Sequence, residues 1–189
     1  ASSFVGFCTA AASANATALI QVFGNYTGLS GLSLTNIPPI YYLKDGTHTQ
    51  DQTSDTITGD SSTVDDTHWQ SFTTGNGIIS ISKVAIYCKG TSGETLTVSI
   101  YTGEGSGGTQ VGSSKVITPA AGFGFVEAIF DVPINVTANT QYSIVTVGSH
   151  AVGNVTMGVN STNPYAGGRS DLNAGWDYNF VTYAVNAYG

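Results

Sequence analysis

Residues 69–101 read WQSFTTGNGIISISKVAIYCKGTSGETLTVSIY, three candidate strands separated by Gly-rich turns. In the last of them Leu96, Val98 and Ile100 alternate with Thr95, Thr97, Ser99 and Tyr101. A period of two places one face in a core and the other in water, and it excludes an amphipathic helix. In the middle strand Ile79 and Ile81 share one parity, while Val84, Ile86 and Cys88 share the other. The switch falls at Ser82-Lys83, where a bulge or corner would re-aim the side chains.

Downstream, turn signals recur at the spacing of an all-β sandwich: Gly75-Asn76-Gly77, then glycines within 90–93 and 103–108, then 119–122, Asn139 and Gly148. Between them lie FGFVEAIFDV, TQYSIVTV, NVTMGV and NFVTYAV. Eight or nine strands in this span suit a jelly roll. Upstream, SFVGFC and ALIQVF read as strands around a small-residue turn, and IYYLKDG as a short strand ending in an Asp-Gly turn. Pro38-Pro39 cannot sit in a central strand. Residues 50–66, QDQTSDTITGDSSTVDD, are polar and acidic, which suits a linker or long loop. The expected organisation is all-β, with a small N-terminal β element over 1–49 and a jelly-roll-like β-sandwich over 50–189.

Charged residues make up 9% of the 189 residues, against roughly 25% in an ordinary domain. Hydroxyls and amides therefore carry the hydration of the surface. A net charge of −7 with five Lys and Arg disfavours nucleic acid, because phosphate binding needs clustered cations. No apolar run approaches the roughly 20 residues that span a bilayer. The chain opens on Ala1 without a Met or a basic, apolar leader, as expected of a processed form or of a piece of something longer. Cys8 and Cys88 fall in different parts; a disulfide between them and two buried free thiols are both compatible with this placement.

Two resemblances arise from particular residues. The succession of a strand, Gly6, a small-residue turn, a strand, Gly24, Gly31-Leu32, Tyr41-Tyr42-Leu43 and Asp45-Gly46 resembles a small β element of bacteriophage tail fibres and other virion appendages. The resemblance implies self-assembly into a homo-oligomer or filament. Further along, Gln70-Ser71-Phe72-Thr73, Val84 to Tyr87, Leu96-Thr97-Val98, Val132-Pro133-Ile134-Asn135-Val136 with Thr140 and Tyr142, and Asn163-Pro164-Tyr165 with Trp176-Asp177 are similar to carbohydrate-binding-module-like β-sandwiches of bacterial surface and secreted proteins. That likeness implies sugar-binding or adhesive modules, many holding a structural calcium and few catalytic.

Gly103 to Gly108 spell G-x-G-x-x-G, but the following TQVGSSKV reads as strand. Without a helix N-terminus to hold a pyrophosphate, a hairpin loop is expected. His48, His68 and His150 lack metal-ligand spacing, and no G-x-S-x-G elbow is present. Glu94, Glu104 and Glu127 are acids by chemistry alone, with nothing to pair them for glycoside hydrolysis. Asp51, Asp55, Asp171 and Asp177 lie near the first and last strands, which are often neighbours in a sandwich, and could together offer calcium its oxygen ligands. Trp176, Tyr178 and Tyr165 belong to an aromatic-rich end, where exposed rings would stack on sugars or pack on a partner, Trp176 in the loop NAGWDYN above all. Sequons occur at Asn15, Asn25, Asn135, Asn154 and Asn160, as a chain rich in Asn and Thr produces by chance.

The expectation is a non-enzymatic structural or adhesive subunit of a virion appendage or extracellular filament, with the sandwich displayed toward a surface or glycan. The alternative is a carbohydrate-binding module of a secreted enzyme or adhesin.

Overall fold

A computed structural model describes residues 48–64, 67–91, 93–149, 155–162, 165–172 and 175–186. The N-terminal element read from 1–49, including Cys8, lies outside these residues apart from its last two. Eleven strands run through them: β1 (Thr49–Ser54), β2 (Asp60–Val64), β3 (Thr67–Thr73), β4 (Ile78–Gly90), β5 (Leu96–Thr102), β6 (Gln110–Ile117), β7 (Gly124–Asn135), β8 (Gln141–Gly148), β9 (Val155–Asn160), β10 (Asp177–Tyr178) and β11 (Phe180–Asn186). No helix among them is long and apolar enough to cross a membrane.

The strands form two antiparallel sheets. The smaller has the order β3-β8-β5-β6; in the larger, β11 joins β1 to β4, and β7 pairs with the other edge of β4. If β2, β9 and β10 are set aside, eight principal strands remain, arranged 1-8-3-6 in one sheet and 2-7-4-5 in the other. This is the strand order of a jelly roll, two interlocked Greek keys. β9 continues the larger sheet beyond the end of β11, pairing with Cys88–Gly90 of β4, and itself carries β2 and β10.

Residues 50–66, which read as a linker, instead supply β1 and β2. An outer strand has one wet face and one open edge, so Thr-rich sequence suffices where a central strand would need apolar residues. β1 pairs with β11, and β2 lies along β9 in a continuous register from Asp60 opposite Val159 to Val64 opposite Val155.

The core is made by the inward faces: Ile78, Ile81, Val84, Ile86 and Cys88 of β4, Ala128, Phe130 and Ile134 of β7 and Phe180 of β11 meet Phe72 of β3, Leu96, Val98 and Ile100 of β5 and Ile144 of β8. The inward side chains of β4 change parity twice because the strand is bulged. Lys83 faces Tyr183 and Ile81 faces Ala184, which leaves Ser82 as an extra residue at the parity switch. A second extra residue, Ile79, falls between Ser80 opposite Val185 and Ile78 opposite Asn186. Ile78 is therefore the buried residue, and Ile79, which simple alternation groups with Ile81, is exposed. Cys88 is a free, buried thiol whose pKa is pushed up to about 12 by desolvation, so it stays protonated at neutral pH.

Candidate functional site

The residues expected to bind are dispersed. Tyr165 is buried; its hydroxyl accepts the Thr73 backbone N–H at 3.0 Å and donates to Gln52 Oε1 at 3.0 Å, while its ring stands edge-on to Phe180. Burial first, then the charges of Asp51 and Asp177, raise its pKa, with the Thr73 bond opposing. Tyr178 is also buried, with its hydroxyl 3.0 Å from His68 Nδ1. Trp176 is 37% exposed and its carbonyl accepts from Ser170 Oγ at 2.7 Å. Of the three rings, two are committed to the interior, which corrects the expectation of a shared exposed surface at this end.

The four aspartates likewise have separate duties. Asp51 Oδ1 accepts the Gly75 backbone N–H at 2.9 Å and Gln52 Nε2 at 3.0 Å. Asp171 pairs with His68 at 2.9 Å, and Asp55 is exposed. Asp177 has 0% exposure; it accepts Gln70 Nε2 at 2.7 Å and the Tyr165 backbone N–H. The carboxylates of Asp51, Asp171 and Asp177 thus face separate polar partners and do not form the shared oxygen cage of a calcium site. Among the described residues no three His, Cys, Asp or Glu side chains group as metal ligands, so the four do not fit a structural calcium.

Desolvation is the largest influence on Asp177 and raises its pKa; the bonds from Gln70 and Tyr165 oppose it. A carboxyl whose folded pKa lies above its unfolded value, about 3.9, favours the native state fully below that value. This contribution is lost as pH rises through the folded pKa. Asp177→Asn keeps a carbonyl oxygen for Gln70 and removes the charge. The stability of Asp177→Asn relative to the native protein is expected to increase from pH 4 to pH 8, as checked by thermal melts at both values. A difference that is flat or falls with pH would contradict this.

The two outward sheet faces differ. On the smaller sheet Ser71, Ser143 and Ser99 are small and buried, because two loops lie on them. The Gly105 N–H donates to Ser143 Oγ at 2.8 Å and the Arg169 N–H to Ser71 Oγ at 2.8 Å. A Cβ on Gly168 would lie 2.0 Å from the Ser71 carbonyl oxygen, so only glycine permits this approach. Arg169 then pairs with Glu104 at 2.6 Å and covers the Trp69 ring, 5.1 Å from its centre. The 103–108 glycines thus form the expected hairpin loop.

The larger sheet carries aromatic rings on its outward face, where Phe123 and Phe125 are exposed while Ala85 and Val181 are buried. Outward parity on β4 gives Lys83, Ala85, Tyr87 and Lys89; the register sets Phe125 opposite Tyr87, Glu127 opposite Ala85, and Tyr183 opposite Lys83. Tyr87 stacks on Phe123, with centroids 5.3 Å apart and planes at 16°, and meets Phe125 at 5.2 Å. Phe123 and Phe125 are 38% and 40% exposed. Lys89 Nζ sits 4.8 Å above the Phe123 ring. At the other end of the face Lys83 bonds Glu127 at 2.6 Å and lies 4.0 Å over the Tyr183 ring. The result is a ring-lined surface with polar groups at its margins, held on β4, β7 and β11, with Phe123 in the loop that leads into β7.

Gly158 of β9 seats this surface. A Cβ there would come within 2.5 Å of Tyr87 Cδ1 and 2.9 Å of Asn179 Oδ1. Gly158→Ala is expected to displace the Tyr87 ring and cost about 1–3 kcal/mol by overpacking, measured by chemical denaturation. An unchanged midpoint would show that the ring does not depend on this close approach.

Glu94 and the sequons at Asn160 and Asn135 also have assigned places, whereas Asn15, Asn25 and Asn154 lie outside the described residues. Glu94 accepts Ser149 Oγ at 2.8 Å. The Asn160 side chain is buried and bonds the Thr56 carbonyl at 3.1 Å, so this sequon is inaccessible in the fold, whereas Asn135 is exposed.

The fold and site together define a jelly-roll β-sandwich with one ring-lined outward face. No protein-family model matches the sequence, and no curated protein is similar to it.

Proposed function

We propose that the sandwich is a non-enzymatic module that binds carbohydrate through the outward face of its larger sheet. In this reading the chain is an adhesive structural subunit displayed on a virion appendage or extracellular filament, assembled with copies of itself. The observation that carries the binding role is the Tyr87–Phe123–Phe125 cluster beside Lys89, with Tyr87 half-buried and both phenylalanine rings exposed. Flat rings fixed on a rigid sheet offer large apolar area at little entropic cost, and the C–H faces of a pyranose match them, with polar groups at the rim to orient hydroxyls. A single such site is weak, and repetition along a filament would supply avidity. The pairing of Glu127 with Lys83 and of Glu104 with Arg169 supports binding rather than acid–base chemistry.

Affinity electrophoresis in gels containing polysaccharides provides the test. Retardation by at least one polysaccharide is expected, lost in Tyr87→Ala and retained in Trp176→Ala, with both variants folded. The reverse pattern would move binding to the Trp176 loop. Absence of retardation across neutral and acidic polysaccharides would remove the binding role. Light scattering separates the two settings: self-association favours the appendage subunit, and a monomer favours a carbohydrate-binding module of a secreted enzyme or adhesin.

A further inference from the structure

We infer that the carbohydrate bound on this face is acidic, bearing a sugar carboxylate that docks on Lys89. The inference rests on the carbohydrate-binding reading above and narrows its ligand. It starts from the disposition of cations in a chain that has five and a net charge of −7. Among the described residues Lys83 is paired with Glu127, Lys115 with Asp131 and Arg169 with Glu104. Among the described lysines and arginine, only Lys89 is not in an ion pair with a described carboxylate. Its ammonium lies instead over the Phe123 ring at 4.8 Å, on the ring-lined face and two positions from Tyr87.

A ring quadrupole attracts a cation without cancelling its charge, so the ammonium keeps its capacity for an anion. A carboxylate on a pyranose stacked over Tyr87 and Phe125 would reach a cation at the rim of that stack, forming a charge-assisted hydrogen bond. The overall negative charge sets the scale of the anion. A polyanion with a charge on every unit would be repelled, whereas one carboxylate for every two or three sugars needs only one local cation. Glu127 does not oppose it, since Lys83 neutralises that carboxylate on the same face.

The experiment compares matched ligands on the full chain by titration calorimetry: hyaluronan oligosaccharides against their methyl esters, and sialyllactose against lactose. The first pair presents a uronic acid and the second a sialic acid, so the arms distinguish the two sources of the carboxylate. At least one acidic member should bind about tenfold or more tightly than its neutral counterpart. Lys89→Gln should bring the affinity of the acidic member, and its salt dependence, down to about that of the neutral member. Tyr87→Ala should weaken both members. Equal binding of acidic and neutral members, or a preference that survives Lys89→Gln, overturns the acidic ligand and leaves carbohydrate binding standing. Failure of all four ligands to bind also overturns it, and retardation by a neutral polysaccharide then shows whether the broader reading survives. If Tyr87→Ala instead dissociates an oligomer, with sugar binding unaffected, the face is an interface between copies and both readings fall.

Discussion

Ile81→Ala is expected to lower stability by about 2–5 kcal/mol, measured by denaturant unfolding. Ile81 is fully buried, and its place in the core depends on Ser82, one of the two residues that β4 carries in excess of β11. Strict alternation from inward Val84 through Ser82 would turn Ile81 outward and bring Ser80 into the core. The bulge restores Ile81 to the interior, with Ser82 Oγ bonded to the Tyr183 carbonyl at 3.1 Å. A variant lacking Ser82 altogether keeps Ile81 inward in a regular ladder and should lose only about 0.5–1.5 kcal/mol. An Ile81→Ala variant as stable as the parent would show that β4 is not locked in this register.

Phe180→Ala should cost about 3–5 kcal/mol, a large part of the 5–15 kcal/mol that holds an ordinary domain together. Phe180 is buried where β11 crosses the sandwich, 6.4 Å from the Phe72 ring across the core and 5.3 Å from Tyr165. Truncation would leave a cavity between rigid sheets that collapse poorly. Phe125→Ala provides the contrast, because its ring lies on the outward face and its removal should change stability by only about 0.5 kcal/mol. Calorimetric melts of the two variants compare one residue type on opposite sides of the same sheet. Similar losses would mean that the outward face is packed like a core.

Period-two alternation made the central strands legible in the sequence. Leu96, Val98 and Ile100 are inward as read, and the parity switch at Ser82 is a bulge. The second bulge at Ile79 escaped notice because adjacent isoleucines carry no parity of their own; only the pairing with β11 chooses between them. β1 and β2 were hidden by polarity, since an outer strand owes its conformation to its neighbour and not to its own apolar content.

The site was less legible, for a related reason. Tyr165 and Tyr178 stood in a turn-rich segment that suggested exposure, yet each hydroxyl finds an interior partner, Gln52 and Thr73 for one and His68 for the other. A tyrosine whose polar tip is satisfied can be buried as readily as a phenylalanine. The ring-lined face did leave a signal. Phe125 shares its parity with Glu127, and Tyr87 with Lys83 and Lys89, so aromatic residues occupy the polar face of two strands. Recognising that they meet requires knowing that β4 and β7 are neighbours, a long-range pairing set by the jelly-roll connection.

The proposed role depends on this asymmetry between sheets. One outward face is sealed by its own glycine loops, and the other presents Tyr87, Phe123 and Phe125 with Lys89 beside them. The most direct test is amide chemical-shift mapping by NMR during titration with a polysaccharide fragment that retards the protein. The account predicts that the largest shifts fall on Tyr87, Lys89, Phe123 and Phe125 and their strand neighbours. Shifts concentrated around Trp176, with the β4 and β7 amides unmoved, would contradict it.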